Sequence, residues 1–532
     1  MISSTVVRPS DPTLHNALRL AGLFALIKLL LHFALTLWTT HLGYGYFRDE
    51  FYYLVCGRHL AWGYVDQGPL VAVQARLGEI LFGDSLFAIR ILSTLAGAIM
   101  VFLTGLIAWA LGGRRSAQAL GMIGVICSPQ FIGTDGFLSM NSCESMFWMA
   151  CILALLLILR GYSPSRCWVF FGISAGLGLL NKPSMVFFLV ALGIGLLCTE
   201  QRKLLFTRWA ALGIALLILI ALPNVLWQVH NHWPTLEFLQ NGKKAGKNVA
   251  LSPVAFLSAQ ILGQQPFSIF LWLTGVIALL RAKSIARARW LGITFLAFYA
   301  IMQLMHAKDY YLSPLYPAFF AAGAIAWEFR FAASHNVEQQ KIFGFPLYES
   351  LLILTSILVL PLASPVLRPE AWLRYTTAMH LYRPEAEKDD VGNLLPQFFA
   401  DRFGWQELTD KVSAIYTALS PADQARVCVF TSNYGEAGAL EFLGRIEGKP
   451  IPRVISGHNN YWLWGIQGCS GDLMISVIGD TPDEVGRKYE DVVIAGRNDA
   501  PWSMPWEHRN IYLLRGRRPS APVNWQDEKY FY

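Results

Sequence analysis

Charge is the scarcest feature of this 532-residue chain: Asp, Glu, Lys and Arg together make up 15% of it, where soluble domains carry about a quarter. With 54% apolar residues and a mean hydropathy of +0.40, that deficit excludes an ordinary soluble enzyme and points to a membrane protein. Cysteine spacing of the C-x-x-C kind is missing too, so no cysteine metal site is legible. Cys56, Cys127, Cys143, Cys151, Cys167 and Cys198 read as small residues of apolar segments, while Cys428 and Cys469 pair only if the tail faces an oxidising compartment. Glycine-rich dinucleotide and phosphate loops are absent, as are repeats and low-complexity tracts. The first apolar run is long and has no small-residue cleavage site, so it reads as an anchor rather than a removable leader. The net charge of +7 suggests nucleic acid at first sight, but the basic residues sit in short loops where membrane topology accounts for them.

What is present is a series of apolar stretches from Ala17 to about Leu367, followed by mixed sequence to Tyr532. A bilayer is crossed by roughly 20 apolar helical residues, and lipid tolerates no exposed irregular backbone. The expected architecture is an all-α polytopic membrane bundle followed by a soluble α/β domain. Its parts would be a cytoplasmic N-terminal segment (1–16), a membrane domain (17–367) with a long first extracytoplasmic loop (41–85), and the tail (368–532). Eleven spans are readable: about 17–38, 86–111, 117–134, 143–160, 167–181, 184–198, 209–226, 267–281, 290–305, 313–329 and 350–367. Several are short, notably the pair around "NKPS".

Arg114 and Arg115, then Arg160 and Arg166, then Arg202, Lys203 and Arg208, then Arg281, Lys283, Arg287 and Arg289, and finally Arg330 and Lys341 fall in alternate loops. Positive loops stay in the cytoplasm, so the N-terminus is expected inside and the tail outside. The other loops carry the unusual chemistry: "RDEFYYL" at 48–54, "TDGFLSMNSCE" at 134–144, "NKPS" at 181–184, the basic "NGKKAGKN" at 241–248, and "MHAKDYYLSPLYP" at 305–317. "FYYLVCGRHLAWGY" has the composition of an aromatic helix lying at the interface. In the tail, "QELTDKVSAIYTAL", "GEAGALEFLG" and "TPDEVGRKY" read as helices, and "ARVCVFTS", "DLMISVIG", "DVVIAG" and "NIYLLRG" as strands.

Polar groups at membrane depth are functional hypotheses when they face a cavity. Against that stand blander readings: Arg48 with Asp49 or Glu50 as a surface ion pair, and Lys28 snorkelling out of the first span. A carboxylate with cations nearby suits transfer of a phosphate-borne group, the acid taking a proton from the acceptor and the cations stabilising the departing phosphate.

"GYFRDEFYYLVCGRHLAWGYVDQGPL", "LSMNSCESMFW", "LGLLNKPSM", "KDYYLSPLYPAFFAAG" and "NYGEAGALEFLG…SGHNNYWLWG" together resemble the bacterial branch of the GT-C glycosyltransferases. More closely, they are similar to family 39-type enzymes akin to protein O-mannosyltransferases and to the aminoarabinose and galacturonic acid transferases that modify lipid A. The resemblance spans nearly the whole chain in the expected order. It implies a GT-C bundle and a sugar donor carried on a polyprenyl phosphate. Transfer would be inverting, to an envelope lipid, glycan or protein outside the cytoplasmic membrane. By the same resemblance Asp49 is the general base, Glu50 supports it, and Asp135 shares the site. Lys182, Lys308, His306 and Arg48 are the candidates for the donor phosphate. Asn141 and Glu144 match the "MNxxE" pattern and, with Tyr310, Tyr311, Glu436 and His458, are candidates for substrate contact. The alternative for Asn141 and Glu144 is helix capping. No cofactor is implied with certainty; relatives differ in metal dependence and the metal ligands are unassigned, so a divalent ion stays open. The rival from another class is a transporter or flippase for a polyprenyl-linked sugar or lipid, whose related halves the sequence does not show. A silent scaffold binding lipid-linked sugar is a third option.

Overall fold

The computed structural model describes residues 13–246, 251–332, 345–381 and 393–532. Most of the expected N-terminal segment, and Lys341, therefore lie outside the described residues. The chain divides into two compact units, Met1–Leu37 with Ile91–Pro223 and Ala250–Val366, and Trp38–Arg90 with Asn224–Val249 and Leu367–Tyr532. The second unit thus joins the tail to the long first loop.

Helices build the first unit: α1 (Leu14–His41), α4 (Leu86–Ala110), α5 (Arg115–Ile126), α6 (Pro129–Thr134), α7 (Met140–Leu159), α8 (Pro164–Asn181), α9 (Met185–Leu197), α10 (Arg208–His230), α12 (Pro253–Gly263), α13 (Ile269–Arg281), α14 (Arg289–Leu304), α15 (Tyr316–Ala332) and a last helix, Phe345–Ala363, with the end of α1, the start of α4 up to Arg90 and the end of α10 belonging to the second unit. Between α1 and α4 come α2 (Arg48–Arg58) and α3 (Pro69–Phe82), and after α10 comes α11 (Pro234–Lys244), all in the second unit. Among the described residues six helices are long and apolar enough to cross a membrane, and seven if the pair α12–α13, bent by 105°, counts as one. They are α1, α4, α7, α10, α14 with the turn before it, and Phe345–Ala363. The other five expected spans fall on α5 with α6, α8, α9, α13 and α15, which are helical but shorter or less apolar. Ser128-Pro129 divides one expected span and Lys182-Pro183 separates α8 from α9, because the residue before a proline is driven out of the helical region. Packing among these helices uses small residues. A Cβ on Gly213 of α10 would stand 2.7 Å from the Trp168 carbonyl oxygen of α8, so only glycine lets the two backbones approach this closely.

The second unit holds a five-stranded mixed sheet in the order β2-β1-β3-β5-β4, from β1 (Cys428–Thr431), β2 (Arg453–Ser456), β3 (Leu473–Ile478), β4 (Tyr489–Arg497) and β5 (Asn510–Arg517). β1 runs parallel to β2 and β3, and β5 antiparallel to β3 and β4. The membrane bundle with a C-terminal α/β domain is therefore the observed fold class. The expected tail strands and helices are present, with "TPDEVGRKY" reduced to the short helix Pro482–Gly486. β2 is an addition to that reading: "RVIS" is too short for its alternation to register. Cys428 and Cys469 are joined by a disulfide.

One expectation changes outright. α2 is not a surface helix: Glu50 through Gly57 are buried, because α3 and the helix Tyr434–Ile446 pack against it within the same unit. Its aromatic residues make core contacts, as where Phe51 meets Trp405 and Phe442.

Candidate active site

A polar cluster relevant to chemistry lies in each unit. In the second unit it starts at the first turn of α2, where neighbouring residues are rotated by about 100° and so meet different surroundings. Glu50 is fully buried. Its carboxylate receives two hydrogen bonds of 2.8 Å from the Arg90 guanidinium and a third of 2.8 Å from the Phe47 N–H. Burial pushes its carboxyl upward, and Arg90 outweighs that and holds it below the usual glutamate value. A carboxylate bonded this way anchors the start of α2, so the support it gives Asp49 is mechanical. Asp49 is different: its side chain is 28% exposed, and one oxygen, Oδ1, accepts a 2.9 Å hydrogen bond from the Tyr434 hydroxyl.

Arg48 stands between two acids, with Nε 3.5 Å from Asp49 Oδ1 and 3.7 Å from Asp401 Oδ2. Its backbone N–H also donates to the Asp401 carbonyl at 3.0 Å, and Gly45 N–H donates to the Arg402 carbonyl at 3.3 Å, so the tail pins the strand of chain leading into α2. Arg48 is thereby already committed to carboxylates. Around Tyr434, its ring stacks on Tyr52 at 4.5 Å and meets the His458 ring at 4.7 Å. Tyr52 in turn donates to Asp66 and Asn460 at 3.0 and 3.3 Å. His458 accepts from the Tyr434 N–H through Nδ1 at 3.3 Å. Glu436 is wholly buried: it accepts from the Ser432 and Asn433 N–H groups and lies 3.1 Å from Arg509 Nε. Its bonds start the helix Tyr434–Ile446 through a capping box with Asn433.

In the first unit the centre is built on Lys182. Pro183 forces the extended backbone there (φ −154°, ψ 134°), which ends α8. The ammonium group then donates to Glu144 Oε2 at 2.8 Å and to Asn141 Oδ1 at 2.9 Å, both on α7. Ser184 donates to the other oxygen of Glu144. Asn181 Nδ2 donates to the Met140 carbonyl at 2.8 Å. Helix α7 is capped by Ser139, which leaves the Asn141 side chain for Lys182. The rings of Tyr311 and Tyr310 lie 4.6 and 5.3 Å from Lys182 Nζ, a cation–π distance. The structure thus brings five sequence candidates into one contact group: Asn141, Glu144, Lys182, Tyr310 and Tyr311. Lys308 precedes the turn 309–315 and is half-buried, while His306 is exposed with a left-handed backbone (φ 50°).

Asp135 is the third acid that the sequence offers for the site. It is fully enclosed in the first unit, 2.9 Å from Lys28, and Lys28 also donates to the Phe131 carbonyl at 3.1 Å. Neither group is exposed, so Lys28 does not snorkel. Gly97 of α4 makes the room, since a Cβ there would fall 2.5 Å from Asp135 Oδ2. Among the described residues, no group of three or more His, Cys, Asp or Glu side chains is placed to hold a metal ion. Sequence reasoning passed over Tyr434, Tyr52, Asn460, Asp401 and Arg90. Tyr434 was within reach, because it stands in "NYGEAGALEFLG", two residues before Glu436.

Residues 66–227 match the family model described as dolichyl-phosphate-mannose-protein mannosyltransferase. The lipid A galacturonosyltransferase RgtD of Rhizobium johnstonii is 24% identical over 255 residues, 46% of this chain and 52% of RgtD. An undecaprenyl phosphate-alpha-4-amino-4-deoxy-L-arabinose arabinosyl transferase of Pseudomonas fluorescens is 24% identical over 162 residues, 30% of this chain and 28% of that protein. The matched stretches thus span between about a quarter and a half of these curated relatives. ArnT from Cupriavidus metallidurans bound to undecaprenyl phosphate superposes with a TM-score of 0.59 at 14% identity, covering 94% of this chain and 99% of ArnT. Its apo form gives 0.56 at 15% identity, over 93% and 98%. The chain therefore has the GT-C fold of these solved structures, and the family model and the curated relatives agree with its motif resemblance to polyprenyl-phosphate-sugar glycosyltransferases.

Proposed function

We propose that this protein is an integral-membrane glycosyltransferase that moves a sugar from a polyprenyl-phosphate donor to an acceptor in the cell envelope, with lipid A first among acceptors. The acceptor oxygen attacks the anomeric carbon, the bond from that carbon to the phosphate oxygen breaks, and polyprenyl phosphate leaves. When the acceptor is a hydroxyl, Asp49 takes its proton. Attack opposite the leaving group inverts the anomeric centre. Lys182 is the cation for the leaving phosphate: two of its three donors are engaged by Glu144 and Asn141, and an ammonium group has a third to give. Tyr310 and Tyr311 wall that cation and suit a sugar or lipid face. Lys308 and His306 are candidates for further phosphate contact, and His458 for the acceptor side. The loop charges support an orientation with the N-terminus in the cytoplasm and the tail on the outer face.

The observation that carries this reading is the contrast at 49–50: of two adjacent carboxylates, Glu50 is saturated while Asp49 is held on one oxygen and open on its exposed side. The test uses full-length protein in nanodiscs, labelled polyprenyl-phosphate sugars and envelope lipid extract, with products read by mass spectrometry. Wild type forms a labelled glycolipid, and Asp49→Asn lowers transfer by about 10³-fold, within the range for a lost general base, while melting as wild type does. Full activity in Asp49→Asn removes the base assignment. Translocation of labelled donor with no new glycosidic bond establishes the transporter reading instead.

A further inference from the structure

We propose that Tyr434 is a positioning residue for Asp49: its hydroxyl fixes Oδ1 and thereby presents Oδ2 to the acceptor proton. This rests on the reading of Asp49 as the base and assigns a task to a residue of the soluble tail. A partly exposed aspartate turns freely about its χ2 bond, which has broad, shallow wells. Catalysis needs the accepting oxygen held within hydrogen-bond reach of the donor it serves. Arg48 is a poor clamp, with Nε 3.5 Å from the same oxygen and attention divided with Asp401 at 3.7 Å. Tyr434, at 2.9 Å, is well inside the normal range for an O–H···O⁻ contact.

A clamp must itself be immobile, and Tyr434 is held from several directions. Its backbone N–H is bound by His458. One ring face stacks on Tyr52, which Asp66 and Asn460 hold by its hydroxyl. The Arg48 guanidinium carbon lies 5.6 Å from the ring centroid. Tyr434 also opens the helix Tyr434–Ile446, whose start is fixed by the Asn433–Glu436 capping box. Burial first, and then the Asp49 charge, hold its phenol above the ordinary tyrosine range, so it stays a donor throughout the working pH range.

Tyr434→Phe tests this, because it removes the hydroxyl and keeps the ring on Tyr52. In nanodisc transfer assays kcat should fall about tenfold, the loss expected for one charge-assisted hydrogen bond, with donor and acceptor KM within about twofold of wild type. The melting temperature should be unchanged, whereas Tyr434→Leu, which also loses the stack, should lower it. The decisive reading is a double-mutant cycle on Asp49→Glu, whose longer side chain is already out of register with the hydroxyl. There Tyr434→Phe should cost less than about twofold. An equal tenfold loss in both backgrounds, or a Tyr434→Phe enzyme with wild-type kcat while Asp49→Asn is dead, overturns the positioning role and leaves the base standing. Wild-type transfer by Asp49→Asn overturns both.

Discussion

Among the described residues of the helical unit, two lysine–carboxylate pairs have nearly the same separation and different surroundings. Lys28 and Asp135 meet at 2.9 Å with no exposure on either side, and the ammonium also donates to the Phe131 backbone carbonyl. Lys182 and Glu144 meet at 2.8 Å, retain 9% and 4% exposure, and are fringed by Asn141, Ser184 and two tyrosine rings. The first pair cancels its own charge in an enclosed space. The second is a cation set among groups able to orient a ligand. Charge at membrane depth is thus not one signal: what surrounds the pair, more than the pair itself, separates a structural device from a chemical one. The same contrast recurs around Arg48, where Asp401 is enclosed and Asp49 is 28% open.

Substitution should break the likeness between the two lysines. Lys28→Met leaves Asp135 buried without its cation, and losing one member of a buried pair costs about 3 kcal/mol or more. The thermal inactivation temperature of the solubilised protein should drop sharply, while the folded fraction transfers sugar within a few-fold of wild type. Lys28→Met with Asp135→Leu should recover much of the loss, because the desolvated charge is then gone. Failure to recover would mean that the pair does more than cancel charge.

Lys182→Met should give the opposite profile. Transfer, as kcat/KM, should fall about 100-fold, which corresponds to roughly 2.7 kcal/mol of transition-state stabilisation. Stability should suffer less than in Lys28→Met, since Ser184 still bonds Glu144. Lys182→Arg, which keeps charge but changes shape, should fall between. If Lys182→Met is as active as Lys28→Met, the two pairs are equivalent and the phosphate assignment goes.

The smallest effect concerns pH. Burial pushes the Asp401 carboxyl up to about 7, against the pull of Arg48. The unfolded chain releases that proton near 4, so the folded form binds it more tightly. Its contribution to stability is full below pH ~4 and is lost as pH rises through ~7. Glu441, pushed up to about 7 mainly by burial, acts in the same direction. The melting temperature should therefore fall by a few degrees from pH 5 to pH 8. Asp401→Asn and Glu441→Gln should each flatten part of that slope; a slope unchanged in both variants would show that neither group titrates in this window.

Much of the fold was legible because periodicity and composition are local. Long apolar runs announce helices such as α4 and α10, and the tail's alternation announces β1, β3, β4 and β5. Breaks were legible for the same reason, as with Pro183 after Lys182. The enclosure of α2 was not, because a run of aromatics looks the same whether its cover is lipid, water or another helix. For the candidate site, "MNxxE", "NKPS" and "KDYY" each displayed a polar group that an apolar segment would not keep without use, and they meet at Lys182. Asp135 and Lys28 displayed the same thing and found each other instead. Nothing within either segment states the identity of the partner, 107 residues away in the chain.

By itself, then, the sequence determined that this is a helical membrane chain with an α/β tail, and which polar residues interrupt its apolar stretches, since hydropathy and backbone preference act over a few neighbours. Tertiary structure alone decided which of those residues are spent. Whether a carboxylate is neutralised, as Glu50 is by Arg90, or kept available, as Asp49 is beside Tyr434 385 residues away, depends on groups that only folding brings within about 3 Å. At that range desolvation and hydrogen bonding together set what a charge can do.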